Sequence, residues 1–287
     1  MSTLKNAQIE TIQTNKLQAE NNRQRLLSNE KITEKSISVI KGGHYVPKEL
    51  LGTSKKTVKG DGKEFLTRIL YFAPAFLSGK NTCSKASIGC SNSCLFQNGF
   101  GRYDNTQIGR INKTNYFYNE REKFMKQLCK EIAMFEAECK FEEVTPVIRL
   151  NGTSDLNLSL FNYKGKNILD WFKNVIFYDY TKVLKRFDTK LVEKSNYFLT
   201  ASRDENNFQE VEKLLNKGFN VAFVFNAKKN KPLPTEYKGF KVVDGDKNDL
   251  RHIDYLENKG NKKGVIVGLI AKGKAKTDKT GFTIHEF

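Results

Sequence analysis

Runs of Val, Ile, Leu and Phe recur at intervals from residue 65 to the end of the chain. They are "LTRILYFAPAF" (66–76), "TPVIRL" (145–150), "NVIFYDY" (174–180), "NYFLTAS" (196–202), "NVAFVFN" (220–226), "GFKVVDGD" (239–246) and "GVIVGLIAKG" (264–273). Most lack strict alternation, which is the pattern of strands covered on both faces of a parallel sheet. Between them, residues 115–140 place apolar side chains at helical spacing among charges. "DENNFQEVEKLLNKG" reads as a second helix, with an acidic first turn, a late Lys and a terminal Gly. Strands alternating with helices predict an α/β domain with a mainly parallel sheet, in the form of a complete or partial (β/α) TIM-like barrel rather than an open doubly wound sheet. Residues 1–60 break the pattern: Gln, Asn, Glu and Lys dominate, so a mostly polar N-terminal arm, partly helical or disordered, precedes a single domain over 61–287. Within the arm, "KITEKSISVIK" (31–41) reads as a short strand.

Polar residues gather directly after these runs, where the carboxyl ends of parallel strands form sites. "RLNGTSD" offers Asn151, Gly152, Thr153, Ser154 and Asp155 to a ligand; its alternative is a plain Asx turn. "FYDYTK" adds Asp179 and Lys182, an acid/base pair or a structural ion pair. Ser202 and Arg203 follow the next strand, and "DGDKNDLRHID" supplies Asp244, Asp246 and Asp249, a carboxylate density suited to Mg2+ or to capping a helix at Asn248 or Asp249. "AKGKAKTDK" gives a flexible basic loop in which Lys272, Lys274 and Lys276 can meet phosphate. The expected catalytic set is Asp155, Asp179, Lys182, Arg203, Asp244 and Asp246. Substrate binding falls to Asn151, Gly152, Thr153, Ser154, Ser202, Lys272 and Lys274.

Charge changes the picture next. Among 287 residues, 49 Lys and Arg stand against 32 Asp and Glu, a formal net charge of +17. This favours an anionic partner, first of all nucleic acid or a nucleotide, although a Lys-rich composition alone produces a similar excess. "FGRYDNTQIGRINKTNYFY" interleaves Arg102, Arg110 and Lys113 with aromatics, as a nucleic-acid surface does and as buried rings beside exposed charges also do. No apolar run approaches a membrane span, and the polar start lacks the core of a signal peptide, so a cytoplasmic protein without a membrane partner is expected.

A cytoplasmic chain keeps its thiols reduced, so an odd count of five Cys points to metal or reactivity. Cys83, Cys90 and Cys94, spaced Cys-x6-Cys-x3-Cys, lie in one Gly/Ser/Asn-rich loop after the first strong strand. Three thiolates can hold three irons of a [4Fe-4S] cluster, leaving the fourth iron open as chemistry with S-adenosylmethionine requires. They can also hold zinc with His44, Cys129, Cys139 or water as fourth ligand, or be structural thiols. Cys129 and Cys139, ten residues apart on the long helix, read as core. His44, His252 and His285 are isolated and no Gly-x4-Gly-Lys-Ser/Thr loop occurs, which disfavours triad hydrolysis and NTP hydrolysis.

"CSKASIGCSNSC", "RLNGTSDL", "FYDYTK", "LTASRDENN", "DGDKNDLR" and "VGLIAKGKAK", in that order from about residue 65 to the end, resemble the phage gene product 88 domain family. That resemblance implies a phage or prophage context and supplies no reaction. The placing of a "GC…C" loop after an early strand also resembles the phage Gly-Cys-containing proteins that look like radical S-adenosylmethionine barrel enzymes, although the spacing differs from their usual Cys-x3-Cys-x2-Cys. The leading expectation is an iron–sulfur, radical-S-adenosylmethionine-like barrel enzyme acting on a nucleic acid or nucleotide. The alternatives are a DNA-binding, replication-associated phage protein with zinc or structural cysteines, and a Mg2+-dependent nuclease.

Overall fold

All seven apolar runs are strands of one sheet. The computed structural model describes residues 2–54, 57, 64–228 and 231–287. In chain order the strands are β1 (Leu51–Gly52), β2 (Phe65–Leu70), β3 (Thr145–Arg149), the hairpin β4 (Asn162–Tyr163) and β5 (Lys166–Asn167), β6 (Ile176–Thr181) and β7 (Tyr197–Ser202). They continue with β8 (Val221–Phe225), β9 (Glu236–Tyr237), β10 (Phe240–Asp244), β11 (Ile266–Ile270) and β12 (Thr283–Ile284). Apart from the separate β4–β5 hairpin, the order across the sheet is β1-β2-β3-β6-β7-β8-β11-β10-β9. From β2 to β10 every neighbouring pair is parallel, while β1 and β9 are antiparallel edges. β7 pairs only the start of β8, at Val221 and Ala222; β12 then pairs Val224 and Phe225. The protein is therefore mixed α/β with a largely parallel central sheet. No pairing among the described residues joins the two edges, so a closed barrel is not part of the described hydrogen bonding.

The two faces of the sheet follow from strand alternation. One face carries Ile148, Phe177, Tyr197, Leu199 and Phe223 into the main core. There they meet Phe124, Leu128 and Ile132 of α5 (Arg121–Phe141), Ile168 and Leu169 of the short α6 (Ile168–Trp171), and Val211 and Leu215 of α7 (Phe208–Asn216). Cys129 and Cys139 are buried in this core, as their spacing implied. The opposite face carries Val147 and Tyr178, which pack with Leu250 at the start of α8 (Arg251–Glu257). α8 packs on this face near the starts of β2 and β7, where His252 meets Phe65 and Phe198.

Two expectations about elements are corrected. Residues 31–41 do not form a strand: Glu34–Ile40 is helix α2, because the Thr33 hydroxyl accepts the Ser36 N–H at 3.2 Å and Glu34 sits in the first turn. The long helix over 115–140 is two helices, α4 (Asp104–Asn119) and α5, broken at Glu120. The N-terminal arm contains a 26-residue helix, α1 (Ser2–Leu27). Leu26 of α1, Val39 and Ile40 of α2, and Ile108 and Ile111 of α4 form a second buried cluster with Ala73, Leu77 and Phe96. The arm thus docks beside the cysteine loop. The expected boundary at residue 60 lies outside the described residues.

Candidate functional site

Leu70 ends β2, and the chain turns through Tyr71–Pro74 into the cysteine loop. The loop is fastened at three places. The Thr82 hydroxyl donates to the Ala73 carbonyl at 2.6 Å, while the Thr82 carbonyl accepts the Asp155 N–H at 2.8 Å from the loop after β3. Ser87 caps the one-turn helix α3 (Ile88–Asn92) by accepting the Cys90 N–H at 3.1 Å. Glu205, beyond β7, accepts the Ser87 hydroxyl and the Gly89 N–H, both at 2.7 Å. Gly89 is required here, since a Cβ would collide with Thr280, Phe282 and Glu205.

These ties place Cys83, Cys90 and Cys94 together on the wall of one cavity of about 310 Å3 at the carboxyl ends of the strands. The same cavity is lined by Asn151, Gly152, Thr153, Ser154, Asp155, Lys182, Ser202, Arg203, Asp246 and Lys272. Its floor is the open half of the sheet face, with Arg149, Tyr180, Ala222, Val224 and Leu269, and Phe282 completes the side. Most of the residues selected from the sequence therefore converge.

The three cysteines are half-buried, and the protein around them withdraws them from bulk water. Burial pushes the Cys90 thiol up to about 12, partly offset by the Lys182 ammonium, and pushes Cys83 and Cys94 up as well. The neighbouring thiols oppose one another's ionisation at Cys83 and Cys90. Cys83 receives the Ala75 N–H at 3.3 Å. All five cysteines are free thiols. Among the described residues, no group of three or more His, Cys, Asp and Glu side chains is drawn together around a single ion position.

The "RLNGTSD" turn is built as much for itself as for a ligand. Asn151 Oδ1 accepts the Ser154 hydroxyl at 2.7 Å and the Leu156 N–H at 2.9 Å, and its Nδ2 donates to the Leu156 carbonyl. Thr153 donates to the Phe72 carbonyl at 2.6 Å. Gly152 lies so close to Tyr71 and Ile69 that a Cβ would enter the ring. Asp155 pairs with Arg186 at 3.0 Å and accepts the Lys182 N–H at 2.9 Å, so it fixes the backbone that aims Lys182 inward. The Lys182 ammonium donates to the Arg203 carbonyl at 3.1 Å and stands 3.9 Å from Asp204. Arg203 donates to the Gly281 and Phe282 carbonyls, and its Nε is buried without a hydrogen-bond partner.

Other expected site residues lie elsewhere. Asp179 is fully buried on the face opposite the cavity, where it accepts the Asn151 N–H at 2.7 Å and the Tyr197 hydroxyl at 3.1 Å. It positions the turn. Asp244 is exposed outside the cavity and accepts the Asp246 N–H at 2.8 Å, while Asp246 pairs with Lys272 at 2.7 Å. Lys274 and Arg102 line a separate polar cleft with Gln18, Asn22 and Gln107, and Lys276 is exposed on the 273–277 turn. Arg110 and Lys113 do not sit on an open surface. Arg110 stacks over Tyr71 at 4.5 Å, and the Lys113 ammonium donates to the Leu50 carbonyl at 2.6 Å.

Sequence reasoning did not select Arg149, Glu205 or Arg186. Arg149 donates to Asp249 at 3.1 Å and to the Asn151 carbonyl at 3.1 Å, and lies over Tyr180. Its charge inside an apolar strand was the available signal. Glu205 reads in sequence as an ordinary acid before a helix, and nothing local distinguishes it.

Comparison with known families matches residues 47–286 to the family described as gene product 88. No curated protein and no solved structure matches the chain. No helix among the described residues is long and apolar enough to cross a membrane.

Proposed function

The chain belongs to the gene product 88 family, whose name carries no reaction, and from the cavity itself we propose that the protein is an iron–sulfur enzyme of a partial-barrel kind, acting on a nucleotide or nucleic acid. The observation that carries this reading is the convergence of Cys83, Cys90 and Cys94 with Lys182, Arg203 and the Asn151–Asp155 turn on one cavity at the strand ends.

Three thiols lining one cavity are a donor set that a cubane can use, one thiolate to each of three irons. A zinc ion bonded at about 2.3 Å draws its thiolates to within about 4 Å of one another. A cubane instead gives each thiolate its own iron and keeps them apart, so three cysteines can share a cavity without converging on one point. Barrel-like curvature is supported by His252 of α8, whose ring lies 4.9 Å from Phe65 of β2 and 5.9 Å from Phe198 of β7. Those rings are thus at most about 11 Å apart, whereas three strand spacings in a flat sheet span about 14 Å. A sheet concave toward α8 accounts for the difference.

When bound, such a cluster would supply single electrons at an iron without a protein thiolate, the position that S-adenosylmethionine chemistry uses. The chain's own residues do the rest. Lys182 is the cation that Cys90 feels most strongly, and it offsets negative charge gathered on the sulfurs. Asp155 and Asp179 hold the backbone around it. Arg203 presents a buried N–H to an anionic substrate, Lys272 stands at the rim, and Val224, Leu269 and Phe282 exclude water. The net charge of +17 supports an anionic partner, and the cytoplasm is the compartment that would keep such thiols reduced.

The test is iron, zinc and acid-labile sulfide in protein purified without oxygen, together with the visible spectrum. About four iron and four sulfide per chain are expected, with Cys90→Ala empty. Zinc alone, or iron retained in full by Cys90→Ala, would sink the assignment.

A further inference from the structure

Beside the cavity mouth lies a second recess, a polar cleft of about 550 Å3 lined by Gln18, Asn22 and Arg25 of α1 together with Gln97, Arg102 and Lys274. The two recesses share their walls. Leu95 lines the cavity and Gln97 the cleft, while Lys272 and Ala275 line the cavity on either side of Lys274 in the chain. Gly273 holds these walls together, because it packs so tightly on Asn98 that a Cβ would collide with the side-chain amide.

The lip of the cleft is the segment 95–103, and it turns apolar side chains outward. Phe96 is buried in the second core cluster and anchors the segment. The buried Gln107 donates to the Gly101 carbonyl at 3.0 Å, and Gly101 lies against the Phe96 carbonyl, where a Cβ would collide. With the backbone so fixed, Leu95, Phe100 and Tyr103 are 55%, 62% and 51% exposed. Single exposed apolar residues are ordinary, but three on one short segment mark an interaction surface. The Phe100 and Tyr103 rings stand 6.2 Å apart, and the Arg102 guanidinium lies 5.4 Å from the centre of the Tyr103 ring.

Charge decides the kind of partner. Arg25 is paired with Asp104 at 2.8 Å and Lys272 with Asp246 at 2.7 Å. Arg102 and Lys274 are exposed and form no ion pair with a carboxylate among the described residues. Such cations are open to phosphate, and exposed rings are open to bases that are not already stacked on one another. In a duplex, neighbouring base pairs cover those faces. Resting on the nucleic-acid half of the proposed function and on no metal, we infer that this face binds a single strand. Its bases stack on Phe100 and Tyr103, and its phosphates run past Arg102 and Lys274 in the cleft beside the cavity mouth.

The experiment titrates the full chain into a dye-labelled oligothymidylate of about ten nucleotides, and into a duplex of the same length, following fluorescence anisotropy over a range of salt. Phe100→Ala and Tyr103→Ala are each expected to weaken single-strand binding about 5- to 150-fold without changing its salt dependence, since a lost stack releases no counterion. Tyr103→Phe keeps the ring and binds as wild type does. Thermal melting checks folding; should an alanine variant melt early, Phe100→Leu and Tyr103→Leu keep apolar bulk without a ring and are judged in the same way. Single-strand binding that both ring deletions leave intact, or equally tight binding of the duplex, overturns the inference and leaves a nucleic-acid partner on another face. A wild type that binds neither oligonucleotide at low salt overturns the nucleic-acid reading, and the inference with it.

Discussion

Asp179 illustrates what one residue's direction decides. In "FYDYTK" its place beside Lys182 suggests an acid/base pair, but successive strand residues face opposite sides. Tyr180 enters the cavity, so Asp179 cannot; it lies among Tyr197 and the main core. Period-two alternation applied to this strand was enough to find that. Burial pushes its carboxyl up to about 7, against hydrogen bonds from Asn151 and Tyr197 that favour the charged form. The unfolded value is about 3.9. Between those pH values the folded chain keeps a proton that the unfolded chain releases, so stability falls as pH rises from about 4 to about 7 and levels off above. Asp179→Asn retains an oxygen to accept the Asn151 N–H and removes that slope. Urea unfolding at pH 5 and pH 8 measures it: wild type should lose stability relative to the variant at the higher pH, and parallel profiles would contradict the assignment. Gly152 makes a similar point. Its turn reads as room for a ligand, whereas its close neighbour is Tyr71. Gly152→Ala is expected to cost about 1–3 kcal/mol by overpacking, seen as a lower melting temperature.

Among elements, what sequence disclosed depended on whether the partner was local. The strands were legible because runs of Val, Ile and Phe between turn residues are a local signal. The helix at Glu34–Ile40 was misread because "SISV" alternates like a strand, while the Thr33 cap outweighs that pattern. α1 gave little sign of its place, since its sequence is polar and its docking depends on a few side chains such as Arg23 and Leu26. The cysteine loop was visible in sequence, but the clamp on it, Glu205, acts from more than a hundred residues away. Glu205→Ala would leave the Ser87 hydroxyl and the Gly89 N–H without their acceptor, at a cost of about 1–3 kcal/mol each where water does not replace it. The expected result is earlier melting and, on the iron–sulfur proposal, a lower iron content after loading. Normal iron uptake in that variant would mean that Cys90 is held by the Ser87 cap alone.

At the scale of the whole molecule, the strand-end residues form one cavity because a parallel sheet delivers every carboxyl end to the same edge. That convergence was predictable; the placing of the positive charge was not. Two of the four cations expected to contact nucleic acid, Arg110 and Lys113, have ring and carbonyl partners inside the fold. Arg102 and Lys274 line the open polar cleft beside α1, with Gln18, Asn22 and Gln107 as amide donors and acceptors. If this face holds a phosphate backbone, the affinity for a short single strand falls with salt, and each lost phosphate contact lowers the slope of log K against log salt by about 0.7. Arg102→Ala and Lys274→Ala should each do so with little change in stability. Lys113→Met should leave the slope unchanged while altering melting, because its ammonium is spent on Leu50. A slope that Arg102→Ala and Lys274→Ala together do not move would place the nucleic acid on another face, and would leave the net charge of +17 as composition rather than recognition.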